Sequence, residues 1–273
     1  MFKKYWKFFV IFWSVVLVGI IGVFVFFWLI SAGKLGFMPT FEELENPNNR
    51  FASEVYFADG PIMNRYFEKE NRKYIEYREI PQSVIDALIA TEDVRFYDHS
   101  GVDVRGLFRV AKGLLTANTS AGGGSTISQQ LAKMLFPRES DLNVFELAIR
   151  KFREWVIAVR LEKSYTKEEI LTMYLNKYDF LNLAVGISSA ADIYFQVPLD
   201  SLKVEQAAML IGMAKNSSYY NPVRRPELTL NRRNVVLSQM YKYDKITREE
   251  CDSLKKLPLG LNFKRVDHKE GLA

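Results

Sequence analysis

The chain has 273 residues, a formal net charge of +5 at pH 7, and charged and hydrophobic fractions of 25% and 48%. These fractions are ordinary for a globular protein, and the length suits one sizeable domain with an appendage. The single cysteine excludes an intrachain disulfide. The modest positive charge suits an anionic membrane surface or a phosphate substrate, and nothing in its pattern indicates nucleic-acid binding.

A charge-free segment, residues 8–30, consists mostly of Phe, Ile, Val, Leu and Trp. As a helix it would be about 35 Å long, enough to cross a bilayer core of about 30 Å. Three lysines lie before it, within residues 1–7, and Lys34 stands alone after it, so the positive-inside rule predicts a cytoplasmic N-terminus. A cleaved signal peptide, the alternative, would have a shorter apolar core and a small-residue cleavage site. We therefore predict a single-pass membrane anchor, with the rest of the chain outside the cytoplasm.

The residues between the anchor and the main domain, 31–78, are predicted to form a juxtamembrane linker and a small β-hairpin. The hairpin signal is Asp59-Gly60, which lies between extended patterns at residues 53–58 and 62–67. From Pro81 onward, nearly every segment has the helical period of apolar residues. The predicted helices span residues 81–91, 102–115, 125–136, 142–163, 167–175, 185–195, 204–214 and 229–243. The outer part is thus predicted to be one mainly α domain.

Glu92 follows the first of these helices and is the first candidate for chemistry. It lies three residues past Ile89 and four past Leu88, so it continues the apolar face of the helix. A partly desolvated carboxylate favours its protonated form, which suits a general base or acid. Asp93 would point elsewhere, and His99 would close the segment as a turn. The plainer interpretation is a helix end with a snorkelling glutamate and a capping histidine.

A glycine run, residues 122–124, precedes the helix at 125–136. Glycines let a ligand approach the backbone closely, and a helix N-terminus attracts anions. Ser125 is a natural N-cap, and Ser125, Gln129 and Lys133 would form one polar i, i+4 row. Such a row, ending in a cation, fits a phosphorylated and hydroxyl-rich ligand. The alternative is a flexible loop with an ordinary cap; no Gly-Lys-Ser/Thr follows, so this is not a nucleotide-binding loop.

Glu154 lies on the longest predicted helix, which is apolar on two sides. The sequence predicts that it is partly buried beside Arg150, one turn earlier. The alternative is an i, i+4 ion pair on a solvated face, worth a few tenths of a kcal/mol.

Taken together, two semi-buried glutamates and a cationic set of Lys133, Arg150 and Lys151 indicate a type of chemistry. Two carboxylates are the minimum set for reaction at a sugar anomeric centre. Cations are suited to stabilise a phosphate-like leaving group. No Asp-x-Asp sequence occurs, which weakens a metal-dependent nucleotide-sugar transferase, and two histidines in all make a zinc site improbable.

Five segments, in order between residues 79 and 240, resemble the signatures of the peptidoglycan glycosyltransferases (family 51) of class A penicillin-binding proteins. Ser128 stands where threonine is commoner. The five segments are Glu92-Asp93-x-x-Phe96-x-x-His99-x-Gly101, Gly123-Gly124-Ser125-Thr126-Ile127-Ser128-Gln129-Gln130, Arg150-Lys151-x-x-Glu154, Lys167-x-x-Ile170-Leu171-x-x-Tyr174-Leu175-Asn176 and Arg232-Arg233-Asn234-x-Val236-Leu237-x-x-Met240.

The resemblance implies a lysozyme-like helical domain at residues 79–245 that polymerises lipid II. Glu92 would be the base that deprotonates the 4-hydroxyl of the acceptor sugar, and Glu154 would assist at the donor. Lys133 and Arg150 would hold the diphosphate. The substrate-binding set that the resemblance implies is Asp93, Phe96, His99, Ser125, Thr126, Gln129, Gln130, Lys133, Arg150, Lys151 and Asn176.

The resemblance also carries expectations about ligands and partners. A divalent metal such as Mg²⁺ on the diphosphate is implied for some members only, so no metal-binding residue is assigned. Partners would be lipid II, the growing glycan strand, the membrane and other cell-wall synthesis proteins. Moenomycin, which mimics the growing glycan phospholipid, should bind.

Some positions depart from the family pattern. Arg138 is the candidate for an arginine of a linker that is longer here, Thr172 stands in place of an acidic residue, and Leu181-Asn182 replaces a common glycine. Ser-x-x-Lys occurs at Ser31–Lys34 and Ser164–Lys167, without the other two transpeptidase motifs. We therefore expect residues 246–273 to be a connector toward an absent transpeptidase domain, with a monofunctional enzyme as the alternative, and no covalent β-lactam binding.

Two rival functions use the same residues differently. A muramidase or lytic transglycosylase, acting on finished peptidoglycan, needs the carboxylates but no diphosphate clamp, so the cationic set disfavours it. A membrane-anchored scaffold would need neither glutamate, and substitutions of both would then be silent.

Overall fold

The computed structural model describes residues 2–40, 53–56, 62–66, 73–116, 123–135 and 143–264. It is mainly helical, as the sequence predicts. The helices are α1 (Phe2–Ser31), α2 (Gln82–Glu92), α3 (Val104–Leu115), α4 (Ile127–Leu135), α5 (Val144–Ser164), α6 (Lys167–Lys177), α7 (Ile187–Phe195), α8 (Val204–Met213), α9 (Pro226–Lys242) and α10 (Arg248–Lys256). Three short 3₁₀ turns lie at Tyr77–Glu79, Phe96–Asp98 and Leu199–Ser201.

In the described part of the chain, α1 is the one helix that by length and composition could cross a membrane, and its apolar side chains are largely exposed. Its C-terminal end packs on α5. The rings of Phe26 and Phe27 stand edge-on to Phe152, with centroids 5.4 and 5.7 Å away. Arg160 of α5 donates to the carbonyl oxygen of Ser31 at 2.8 Å. The anchor helix is therefore joined to the domain by direct contacts.

Two short strands, β1 (Ser53–Tyr56) and β2 (Ile62–Tyr66), pair in antiparallel fashion, with Ser53 opposite Tyr66. Their side chains and residues 57–61, where the sequence predicts the turn, lie outside the described residues. The hairpin as a whole stays a prediction.

The core of the domain surrounds α8, whose residues from Ala207 to Met213 are all buried. Helices α2 and α9 both pack on α8 and on each other, while α4 packs on α5 and α6. A helix that is apolar on all sides is expected at the centre of a helical domain. The arrangement places the C-terminal end of α2, which carries Glu92, against α9.

Several helices begin where the sequence supplies a capping box. In α5 the side chain of Asn143 accepts from the amide of Glu146, and in α6 the hydroxyl of Thr166 accepts from the amide of Glu169. These reciprocal bonds satisfy amides that have no partner within the helix. They explain why both helices start within two residues of the predicted positions.

Helix α10 lies within residues 246–273, which the sequence analysis describes as a connector without assigning a helix to them. Thr247 and Glu250 form a capping box at its start, and Cys251 is buried against α9. At its end, buried Arg233 of α9 donates to the carbonyl oxygens of Leu257 and Pro258, both at 2.8 Å. The segment as far as residue 264 therefore packs with the helical domain.

The loop between α6 and α7 has an uncommon backbone. Leu181, Asn182 and Leu183 have φ angles of 64°, 52° and 67°. Residues with a Cβ rarely adopt this left-handed region. Leu181 and Asn182, which stand where the family commonly has glycine, therefore adopt a backbone conformation that favours glycine.

Candidate active site

An open cavity of ≈ 820 Å³ lies between α2, α3, α4 and α9, and Gly123 and Gly124 are part of its lining. Among the described residues, its lining has five basic and three acidic side chains. These are Arg109, Lys133, Lys215, Arg232 and Lys242, and Glu92, Asp93 and Asp103. An excess of cations over a concave, polar surface suits a ligand that carries phosphate.

Glu92, the last residue of α2, has both carboxylate oxygens hydrogen-bonded inside this cavity. Gln130 of α4 donates through Nε2 to Oε2 at 3.0 Å, and Arg232 of α9 donates through Nη2 to Oε1 at 3.3 Å. The side chain of Glu92 is 14% exposed. Arg95, the cation nearest to Glu92 in the sequence, pairs with Asp103, while Arg232 faces the glutamate.

The amide of Gln130 is oriented by a buried tyrosine. The hydroxyl of Tyr174 on α6 donates to Gln130 Oε1 at 3.0 Å. Burial, with a smaller effect of the charge on Glu92, raises the pKa of Tyr174 well above 10. The hydroxyl therefore keeps its proton and remains a donor, which leaves the NH₂ group of Gln130 to face Glu92. Gln130, predicted to bind substrate, thus holds the candidate base.

Asp93 does not point away from the site; it caps α4. Its carboxylate accepts from the amide of Ile127 at 3.0 Å and contacts Nε2 of His99 at 3.0 Å. The hydroxyl of Thr126 accepts from the amide of Gln129 at 3.1 Å. Thr126 and Asp93 therefore satisfy the first amides of α4, and the prediction of Ser125 as N-cap is wrong.

Glu154 lies on α5 at the edge of the site, with a side chain that is 12% exposed. Its partner in the described part of the chain is Lys151 at 2.9 Å, not Arg150 as predicted. The same ammonium donates to the hydroxyl of Ser125 at 2.9 Å, and Ser125 lines the cavity. A chain of contacts through Lys151 and Ser125 thus links the second glutamate to the cavity.

Four other predicted substrate-binding side chains lie in the fold instead of on the cavity. Phe96 is fully buried under the ammonium of Lys167, which lies 4.2 Å from its ring centroid. His99 is bound to Asp93, and Gln129 donates to the carbonyl oxygen of Gly101 at 3.2 Å.

Asn176 is the fourth of these side chains. It donates to the carbonyl oxygen of Ile75 at 2.9 Å and accepts from its amide at 3.0 Å. The polar atoms or rings of all four residues are engaged inside the fold, and their contact with substrate stays a prediction.

Arg232 is a cavity residue that the sequence did not indicate as part of the site. It belongs to the fifth segment of the resemblance, but nothing in its local sequence indicates a contact with Glu92, 140 residues earlier in the chain. Arg109, Lys215 and Lys242 were missed for the same reason. Arg138, the candidate linker arginine, lies outside the described residues.

Comparison with known proteins agrees with the motif pattern. The transglycosylase family model matches residues 59–241. Penicillin-binding protein 1A of Escherichia coli (strain K12) is 36% identical over 226 residues, covering 83% of this chain and 26% of that protein. Penicillin-binding protein 1A of Haemophilus influenzae is 36% identical over 235 residues, covering 86% of this chain and 26% of that protein. The chain spans about a quarter of the length of these curated relatives.

A crystal structure of penicillin-binding protein 1A from Haemophilus influenzae aligns with 80% of this chain and 22% of that chain. The sequence identity is 22% and the TM-score is 0.45, which is too low to establish a shared fold by itself.

Proposed function

Because the chain belongs to the transglycosylase family, we infer that it is a peptidoglycan glycosyltransferase of cell-wall synthesis, and we propose that it polymerises lipid II. The family match covers most of the helical domain, and it agrees with the resemblance carried by the five segments. The observation that supports the reaction best is the carboxylate of Glu92, held from both oxygens in a cavity whose basic side chains outnumber its acidic ones.

In the proposed reaction, Glu92 takes the proton of the 4-hydroxyl of the acceptor sugar. That oxygen attacks the anomeric carbon of the growing strand, and the bond from this carbon to undecaprenyl diphosphate breaks. The diphosphate leaves with the electron pair, and the configuration at the anomeric carbon is inverted. A general base must be aimed at the proton it accepts, and the bonds from Gln130 and Arg232 supply that aim.

The diphosphate would lie against the basic wall of the cavity. Lys133 of α4 and Arg109 of α3 both line it, and cations there would stabilise the charge that develops on the leaving group. Lys151 and Glu154 would act at the rim through Ser125. The roles of Arg150 and Glu154 stay predictions from the family resemblance.

A magnesium ion on the diphosphate does not fit the acidic groups of the described residues. Glu92 is bonded to Gln130 and Arg232, Asp93 to an amide and His99, and Asp103 to Arg95. A hard cation needs several oxygen ligands that are not already paired with protein donors. We therefore assign no step to a metal, and the cations of the cavity take the charge-stabilising role.

The proposed site of action is the periplasmic face of the inner membrane, with the N-terminus of α1 in the cytoplasm. Besides α1, large apolar side chains are exposed on α3 and α5. They include Phe108, which is 73% exposed, and Phe145, which is 72% exposed. An apolar surface beside the cavity would let the lipid tail of the substrate stay in the bilayer while the headgroup reacts.

The test is the conversion of labelled lipid II by the purified, membrane-reconstituted protein. Long glycan strands, formed by the wild type and not by Glu92→Gln, are expected, and moenomycin should block their formation. Release of short sugars from finished peptidoglycan, with no lipid II consumed, would instead identify a muramidase or lytic transglycosylase.

A further inference from the structure

The side chain of Arg232 is held at three places along its guanidinium. Its Nε donates to the carbonyl oxygen of Gly212 on α8 at 3.3 Å, and its Nη2 donates to Glu92 Oε1 at 3.3 Å. The guanidinium carbon lies 5.8 Å from the ring centroid of Tyr220. Only 11% of the side chain is exposed. These contacts fix the Arg232 side chain, so that its Nη2 donor lies at a defined position beside Glu92.

The side chain of Arg232 packs directly against a glycine, Gly212. A Cβ on Gly212 would lie 3.2 Å from Cγ of Arg232 and 3.6 Å from its carbonyl carbon. The missing side chain lets α8 and α9 approach closely, so that the stem of Arg232 passes directly over the helix backbone. Gly212 therefore supplies both the space and the carbonyl acceptor that direct Arg232 toward the cavity.

The two donors on Glu92 come from opposite sides. Gln130, itself bonded to Tyr174, reaches Oε2 from α4, and Arg232 reaches Oε1 from α9. Glu92 ends its helix, so the helix alone does not restrict the rotation of its carboxylate. One donor on each oxygen fixes the plane of the group, and each oxygen keeps a lone pair for the substrate proton.

We propose that Arg232, packed against Gly212, is the residue that positions Glu92. Its loss would lower the rate of the chemical step and leave the binding of lipid II unchanged. This inference rests on the proposed function. It follows from the contact geometry, since Arg232 touches the base and the backbone of α8. A misplaced general base loses rate without losing substrate affinity.

The experiment compares Arg232→Gln, Arg232→Lys and the matched control Arg224→Gln, an exposed arginine just before the same helix. For Arg232→Gln we expect a fall in kcat of about 100-fold with KM changed by less than about threefold. Arg232→Lys keeps a charged donor and should recover part of the rate. Arg224→Gln should match the wild type. Thermal unfolding of each variant shows whether the fold is kept.

A second variant keeps the proposal testable if Arg232→Gln unfolds. Gly212→Ala should displace the arginine stem and lower kcat while Arg232 is still present. In the double variant Gly212→Ala/Arg232→Gln, the loss should equal that of Arg232→Gln alone, because both changes act through one contact.

Three results would overturn the inference. They are an unchanged kcat in Arg232→Gln, a loss confined to KM, and fully additive losses in the double variant. If Arg232→Gln does not fold, an unchanged kcat in Gly212→Ala overturns it. If the wild type itself makes no glycan from lipid II, the proposed function fails and this inference fails with it. If the wild type makes glycan and Arg232→Gln makes it at the same rate, this inference alone fails.

Discussion

Lys167 and Glu162 form an ion pair in which Nζ lies 2.6 Å from Oε2 and the carboxylate side chain is only 4% exposed. The same ammonium donates to the carbonyl oxygen of His99 at 2.7 Å, and the hydroxyl of Ser128 donates to Glu162. This one buried pair therefore ties α4, α5 and α6 to the loop that follows Glu92. It fixes the position of α4 relative to the loop that follows Glu92.

Removing the lysine should unfold or strongly destabilise the domain. In Lys167→Met, the carboxylate of Glu162 would stay buried and would keep the hydroxyl of Ser128 as a donor, and such losses cost about 3–5 kcal/mol. Chemical denaturation measures the change. The control is Arg248→Met, which breaks an exposed pair with Asp252 at 3.9 Å and should change stability by less than about 0.5 kcal/mol. Equal effects of the two substitutions would contradict this account.

The two glutamates should differ in their effect on turnover. Glu92→Gln removes the proposed base and should reduce lipid II polymerisation on the order of a thousandfold while the fold is kept. Glu154→Gln should cost less, since among the described residues Glu154 is linked to the cavity indirectly, through Lys151 and Ser125. Exposed Glu249→Gln serves as the control. Comparable losses in Glu92→Gln and Glu154→Gln, with both proteins folded, would show that the assignment of roles is wrong.

Asp103 should make the free energy of unfolding of the domain depend on pH in the acidic range. Burial alone would raise the pKa of Asp103, but hydrogen bonds from Arg95 and the amide of Gly106 outweigh it and hold that pKa below its usual 3.8. A group with a lowered folded-state pKa stabilises the fold above its unfolded pKa, and the contribution is lost as the pH falls through the folded pKa.

We therefore expect Asp103→Asn to have a lower Tm than the wild type at neutral pH. The difference should shrink as the pH falls below 3.8. Thermal unfolding followed by circular dichroism between neutral and acidic pH provides the measurement. A difference that stays constant over the whole range would argue against a role for the ionised carboxylate.

Leu181 should be replaceable by glycine with a gain in stability. Its φ of 64° is unfavourable for a residue with a Cβ, and relief of this strain should exceed the entropy cost of glycine by about 0.5–1 kcal/mol. Leu181→Ala is the matched control, because it removes the same side chain but keeps the Cβ. The free energy of unfolding of Leu181→Gly should exceed that of Leu181→Ala; the reverse order would count against backbone strain in this loop.

Much of the helical architecture follows from local sequence. The apolar period places α2, α5, α6 and α8 close to their observed bounds, because the period of 3.6 residues and the caps are local properties. The anchor is equally local, since length and the absence of charge suffice. Thr247 and Glu250 carry the capping signal of α10, so this helix could have been found as well.

The composition of the site depended on tertiary structure. Gln129 is buried, and its neighbour Gln130, about 100° further around α4, reaches Glu92. The spacing along a helix relates side chains to one another, but only the packing of α4 against its neighbours decides which face is turned to the cavity. Arg232 meets Glu92 across 140 residues because α8, with no side chain at Gly212, lets α9 pack closely beside α2. That approach is a property of three packed helices, and no local pattern in the sequence encodes it.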